Sequence, residues 1–134
     1  MIMEKAIKFL QTIKDVAFAT VVGDRPQIRV FQIMKSDGVN LWFATSPQKD
    51  VYRQLTENPN VEILAMRGDV SVRISGKAVF DVPESTAREI YAANEVLPRL
   101  YKKFDDLVYF RLKAEWLDYF DLTPNPPLFE HYDL

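Results

Sequence analysis

The chain has 134 residues, with 17 Lys and Arg against 19 Asp and Glu, a single histidine and no cysteine. That length suits one domain over 1–134, able to bury roughly two-thirds of the surface its unfolded chain exposes, and the slight acidity offers no basic excess for a nucleic-acid backbone. Without cysteine there is neither a disulfide framework nor a thiolate metal site, and His131 alone cannot build a multi-histidine zinc centre, so a reducing, cytoplasmic location without a structural metal is expected.

From the N-terminus, Ile2, Ala6, Phe9, Leu10 and Ile13 recur at helical spacing and predict an amphipathic helix over 3–14. Glu4, Lys5 and Lys8 interrupt that run, so neither a secretory signal nor a membrane span is expected. VAFATVV (16–22), the turn at Gly23–Pro26 and IRVFQIM (28–34) read as a hairpin, and after Ser36-Asp37-Gly38 the run NLWFAT (40–45) adds a third strand of a meander. Thr45-Ser46-Pro47 supplies helix-start chemistry for a short helix over 47–57, which stops at Asn58-Pro59-Asn60. VEILAM (61–66) and VSVRISGKAVF (70–80) are two further strands, the second long, with Gly76 where a bulge or bend would let it close a small barrel. Pro83–Thr86 opens a helix to about Asn94, LVYFRLKAEWLDYF (107–120) alternates as a sixth strand, and the proline-rich tail from Thr123 reads as irregular. The expected fold is α+β: an antiparallel barrel of about six strands, Greek-key or meander, with flanking helices.

Several chemistries are excluded by residue type. The four glycines form neither GxGxxG nor GxxxxGK[ST], no GxSxG elbow accompanies His131, and Asp105-Asp106 read as a solvated turn rather than an acid/base pair. What remains is phosphate chemistry on neighbouring strands. Arg29 shares a strand face with Phe31 and Ile33, where a guanidinium is costly unless an anion, a carboxylate or a ligand, meets it. Thr45 and Ser46 stand before a helix N-terminus with Lys49 in its expected first turn, so two hydroxyls, backbone N–H groups, an ammonium and the helix dipole converge there. Arg29 and Lys49 together would neutralise a phosphate monoester if their strands are adjacent.

The runs PQIRVFQIM, LWFATSPQKDVYRQLTENPNVEI and VSVRISGKAVF, in this order and spacing, resemble the pyridoxamine-5′-phosphate-oxidase-like FMN-binding split-barrel superfamily, and within it the small NimC/NimA-like and general-stress-protein-like members. The likeness covers about residues 5–82. It implies a split barrel, an FMN cofactor and a homodimer with the flavin at the interface. It also places the cofactor-binding positions on Arg29, Val30, Phe31 and Gln32 of one strand, on Ala44, Thr45, Ser46, Gln48 and Lys49 around the helix start, and on Ser71 of the long strand. Trp116, read as ending the last strand, is a candidate cover for the flavin ring from the second subunit, with a place in its own core as the alternative. Three departures narrow the activity: Met34 stands where the oxidases carry a substrate-phosphate lysine, Gln48 where a basic residue often precedes the phosphate-binding lysine, and the tail lacks their Arg- and His-rich segment. Pyridoxamine-phosphate oxidation itself is therefore not implied. The expected function is an oxidoreductase passing electrons from reduced FMN to a small acceptor of nitro or quinone type, with a reduced nicotinamide as candidate donor and the catalytic residues unassigned. The alternatives are a non-catalytic FMN or stress-related binder, or a binder of deazaflavin or haem.

The hydrophobic share of 48% and aromatic share of 13% fit either a dense core or an additional partner surface or pocket.

Overall fold

The structure, a computed structural model, describes residues 2–134. Helix α1 (Ile2–Gln11) buries Ala6 and Leu10, as its spacing predicts, and ends where the Thr12 and Ile13 amides turn back to the Phe9 and Leu10 carbonyls. Strands β1 (Asp15–Val22), β2 (Arg25–Gln32), β3 (Lys35–Asp37), β4 (Asn40–Thr45), β5 (Asn60–Arg67), β6 (Val70–Val79), β7 (Val108–Asp121) and β8 (Leu128–Asp133) form one antiparallel sheet. Helix α2 (Asp50–Glu57) follows β4, and α3 (Glu84–Ala93), α4 (Val96–Leu100) and a 3₁₀ turn (Phe104–Asp106) lie between β6 and β7. Three hairpins close on two-residue loops that begin with Gly23, Gly38 and Gly68 at φ 62°, 61° and 58°, the positive-φ geometry that matches strand twist.

The strand order is β2-β1-β5-β6-β7-β4-β3, with β8 beside β7, and the sheet curls into a split barrel. The expected three-strand meander does not form: β4 pairs with β7 rather than with β2. The run expected as one strand over 28–34 bends at Ile33 and Met34, whose N–H groups donate to the Lys14 and Trp42 carbonyls. Its first half therefore pairs with β1 and its continuation, β3, with β4. Only two residues separate β2 from β3, so the chain itself joins the two ends of the strand order. The tail is a second correction. Its prolines end at Pro127, and the alternating LFEHYD beyond them adds β8 to the later half of β7.

Inside the barrel four rings from four strands meet. Phe18 (β1) lies 4.6 Å from Phe31 (β2) and 5.3 Å from Phe43 (β4), and Phe110 (β7) stacks on Phe43 at 5.4 Å. Phe18, Phe43 and Phe110 are fully buried. Val16, Ile63, Val72, Ile74, Leu112 and Leu117 complete this core, and a smaller cluster of Ile90, Leu97, Leu107 and Tyr109 seats α3 and α4 on the outside of β4 and β7.

The expected bulge is present, with the extra residue on the opposite strand. Ser75 pairs with Trp116 and Gly76 with Ala114, which leaves Glu115 of β7 unpaired. This re-phases β7, so that Phe110 and Leu112 point inward before the bulge and Leu117 and Tyr119 after it. A Cβ on Gly76 would meet the Lys113 carbonyl oxygen at 2.1 Å, a backbone atom that cannot rotate away. Gly76→Ala should therefore cost roughly 1–3 kcal/mol of stability, as overpacked sites do, measured by chemical denaturation, with a neutral substitution contradicting this close approach.

On the outer face His131 of β8 sits between two carboxylates, Nδ1 at 2.6 Å from Asp118 of β7 and Nε2 at 2.9 Å from Asp133. Both ring nitrogens meet acceptors, so the charged imidazolium is favoured, and the hydrogen bonds to Asp118 and then Asp133 raise the His131 pKa above its ordinary value. Burial pushes Asp118 upward, but hydrogen bonds from Arg73 and His131 outweigh it and leave its pKa below the ordinary value. The signs are opposite. The His131 contribution is complete below the unfolded histidine pKa of about 6.5 and is lost as pH rises through the raised folded value. The Asp118 contribution is lost as pH falls through its lowered value. Amide-exchange protection of β8 should thus decline above the His131 midpoint, and His131→Gln should remove that step; a midpoint at or below about 6.5 by NMR titration would sink this reading.

Candidate cofactor-binding site

β2 stands at one end of the strand order, so one of its edges carries no partner strand. Along it runs a cleft of about 280 Å³. Its walls are Arg29, Val30, Phe31 and Gln32 of β2 with Met34 beyond them, Ala44 of β4, Lys49 and Val51 at the start of α2, and Val96, Leu97, Leu100 and Tyr101 from α4 and its end. Cations, an open backbone edge and an apolar wall thus share one cleft.

Arg29 is held in place by neutral groups. Its guanidinium donates to the Phe18 carbonyl at 3.2 Å, to Thr20 Oγ1 at 2.8 Å and to Gln54 Oε1 at 2.7 Å, and the Thr20 hydroxyl itself donates to Gln54 Oε1 at 2.7 Å. Of the two anions the sequence allowed, the carboxylate is ruled out among the described residues, because every ion pair there is made elsewhere. Burial pushes the Arg29 pKa below its ordinary value, yet a guanidinium stays charged in proteins. The charge is partly desolvated and uncompensated by any residue described, and Lys49 in the same cleft makes no ion pair either.

The helix start differs in detail from expectation. Residues 47–49 form a turn and α2 begins at Asp50, which makes Lys49 the residue before the first turn rather than within it. No side chain caps this end. Ser46 Oγ is spent locally, accepting the Gln48 N–H at 3.1 Å, while Thr45, 2% exposed, keeps a hydroxyl with no partner. Thr45, Ser46 and Gln48 lie in the strand end and turn next to the cleft and do not wall it. Thr45 Oγ1 and Gln32 Oε1 are the two buried side-chain polar atoms without a partner among the described residues. Both fall on positions that the family resemblance assigns to a cofactor, and a ligand with phosphate and amide-like groups fits that pattern.

Ser71 and Trp116 are elsewhere. They sit on the outer face of β6 and β7, Ser71 in a separate hollow with Leu64, Arg73, Asp118, Phe120 and Phe129. Trp116 lies in the middle of β7, not at its end. It is neither a core residue nor fully exposed, with the Arg73 guanidinium 5.2 Å from its ring centre and His131 at 5.6 Å. Sequence reasoning missed Thr20 and Gln54, which aim Arg29, and α4, which forms the far wall. Only α4 had a readable signal, the helical spacing of Val96, Leu97 and Leu100.

The family model for pyridoxamine 5′-phosphate oxidase matches residues 2–121, and no curated protein matches the chain. Among solved structures, a NimC/NimA family protein from Clostridium acetobutylicum superposes with a TM-score of 0.80 at 23% identity, over 98% of this chain and 92% of that one. An FAD-binding protein from Mesorhizobium loti superposes at 0.73 with 16% identity, over 85% and 90%. A heme binding protein from Mycobacterium smegmatis superposes at 0.80 with 14% identity, over 99% and 58%. At these identities the superpositions establish the split-barrel fold, and with the family model spanning nearly all of the sequence, the chain belongs to the pyridoxamine 5′-phosphate oxidase family.

Proposed function

We propose that this protein is an FMN-binding oxidoreductase whose cofactor lies along β2, taking electrons from a donor, a reduced nicotinamide being the candidate, and giving them to a small acceptor of nitro or quinone type. The observation that carries the reading is Arg29: a partly buried cation with only neutral partners, in one cleft with an unpaired Lys49. Two cations without a described carboxylate are what a phosphate monoester needs. Arg29 and Lys49 hold that phosphate, the open edge of β2 offers backbone donors and acceptors, and α4 keeps water from the apolar wall. When bound, the flavin would supply the redox chemistry. Of the superposed proteins, one binds FAD and another heme. Here haem is disfavoured, because His131, the sole histidine, has both ring nitrogens engaged by carboxylates.

Because Thr20 and Gln54 stay bonded to each other without Arg29, Arg29→Ala should fold normally and purify largely as apoprotein, and Lys49→Ala likewise. Each loses a charge-assisted partner worth roughly 2–5 kcal/mol. Visible absorption of the purified variants checks this; full flavin occupancy in both refutes the placement. A steady-state assay with reduced nicotinamide and acceptor then separates an enzyme from a protein that only stores FMN.

We further propose that the working form is a homodimer. Ile28 and Met66 are 72% and 68% exposed on the outer face, and Val30, 68% exposed, also walls the cleft. With Leu64, Phe120 and Phe129 they form an apolar surface of the kind that marks an interface. A second copy seated there would bring its Ser71 and Trp116 to the open side of the cleft. Sedimentation should show a dimer at micromolar concentration, as an obligate interface of more than about 2,000 Å² would maintain. Trp116→Ala should weaken flavin binding and speed reoxidation by oxygen with the dimer intact; a monomer with bound cofactor, or unchanged stopped-flow reoxidation, refutes the shared site.

A further inference from the structure

The outer face of the sheet has an apolar half and a charged half, and the strand registers fix which residues stand side by side. One row crosses six strands: Val30 pairs with Ala17, Ala17 with Leu64, Leu64 with Arg73, Arg73 with Asp118 and Asp118 with His131. Glu62, Ser75, Trp116 and Asp133 form the row on one side of it, and Met66, Ser71, Phe120 and Phe129 the row on the other. The charged groups are thus flanked by Trp116 and by Phe120 and Phe129, within the surface proposed above as the interface.

Charges covered by a second copy cost free energy unless they are paired, and here the pairing turns on one proton. Arg73 stands 3.8 Å from Glu62 and 2.8 Å from the buried Asp118, which also meets His131 Nδ1, while Nε2 meets Asp133. With His131 protonated, two cations face three carboxylates; with His131 neutral, one cation does. A neutral imidazole has a single N–H. Buried Asp118 retains it, so the Nε2 lone pair then faces the Asp133 carboxylate, which is exposed and turns to water. Asp133 pairs with Trp116 at the end of β8. Losing that bond loosens the strand that carries Phe129, one wall of a hollow of about 310 Å³ completed by Leu64, Ser71, Arg73, Asp118 and Phe120. Glu130 and Tyr132, the other ionisable groups of β8, alternate to its opposite side, where Tyr132 packs against the core.

We infer that Glu62, Arg73, Asp118, His131 and Asp133 form a proton-operated lock on the interface between two copies, closed while the imidazole carries its proton and opened as pH rises and the proton is lost. The inference rests on the proposed homodimer and adds its regulation. Covering the row favours the state with fewer unpaired carboxylates, so each copy takes up a proton as the dimer forms at a pH above its own midpoint. Association is therefore complete below the ordinary histidine range and weakens as pH rises through the His131 midpoint.

His131 is the single histidine of the chain, so NMR reads its titration without ambiguity. Sedimentation velocity over a dilution series should give a dimer dissociation constant at least about tenfold larger at about pH 9 than at about pH 6, with a midpoint that follows the His131 titration. His131→Gln should associate with the weaker, high-pH constant under both conditions. Asp133→Asn leaves the imidazole one carboxylate and should lower the His131 midpoint, moving dimer dissociation to lower pH with it; a histidine that only supports β8 would not tie the two midpoints together. If His131→Gln does not fold, Asp133→Asn alone decides. A dissociation constant that ignores pH, a pH dependence that survives His131→Gln, or a dissociation midpoint in Asp133→Asn that parts from the histidine's overturns the lock. A monomer under both conditions overturns the homodimer reading together with it, whereas a pH-insensitive dimer overturns the lock alone.

Discussion

The contact on which the rest depends is the packing of Phe18, Phe31, Phe43 and Phe110 across the barrel. β2 is hydrogen-bonded to β1 alone, and ladder bonds of about 0.5–1.5 kcal/mol net each hold only that edge. Phe31 brings it against β4 and β7, at 5.8 Å from Phe43 and 5.9 Å from Phe110. Burying a ring is worth roughly 1.5–3 kcal/mol, and an edge-to-face pair adds about 0.5–1.5 kcal/mol. Packing therefore outweighs hydrogen bonding in closing the gap between the two ends of the strand order, and it leaves the outer edge of β2 free.

Arg29 follows from that arrangement. It lies two residues before Phe31 on the same strand face, so the packing that turns Phe31 inward also turns the guanidinium toward the barrel rim. There it meets Thr20 and Gln54, which satisfy its donors without supplying charge. Neutral acceptors in place of a carboxylate lose stability to the folded chain and preserve an attraction for an anion, which is the pattern expected where a local rule is broken at a functional site. An internal carboxylate would have stabilised the free protein and removed the reason for binding.

Much of this was legible in the chain. Helix α1 followed from its apolar spacing, the β1–β2 hairpin from the turn that opens with Gly23, and the bulge from Gly76. That Arg29 and Lys49 share a cleft followed from order and spacing, while Val30, Phe31, Gln32 and Ala44 beside them were implied only by the family resemblance. What could not be read was non-local. Whether the run over 28–34 stays straight depends on the Lys14 and Trp42 carbonyls that catch Ile33 and Met34, and no pattern within the run reports them. β8 was hidden because the prolines before Leu128 dominate the tail's composition while the six residues after them alternate normally. Which face Trp116 takes could not be read, because the extra residue at Glu115 shifts which side of β7 each side chain occupies. Gln54 lies off the apolar stripe of Val51 and Leu55 on α2, and only the packing of α2 near β1 gives it a role.

The two walls of the cleft have different structural origins, and this has a consequence for how activity varies on the fold. Arg29, Phe31, Ala44 and Lys49 belong to the sheet and the helix that follows β4, so their positions are fixed by the same contacts that fix the barrel. The opposite wall belongs to the segment between β6 and β7. It is secured at few points: Asn94 to the Met34 and Ile90 carbonyls, Tyr91 Oη to the Tyr101 carbonyl at 2.7 Å, and the small cluster around Ile90 and Leu97. A helix as short as α4 has little stability of its own, and changes in it leave the barrel core untouched. The sheet can thus keep one wall of the cleft in place while changes in this insertion alter its width and its lining. Under the proposed function, the residues that would hold the cofactor are constrained by folding, whereas those on the opposite wall are constrained almost only by function.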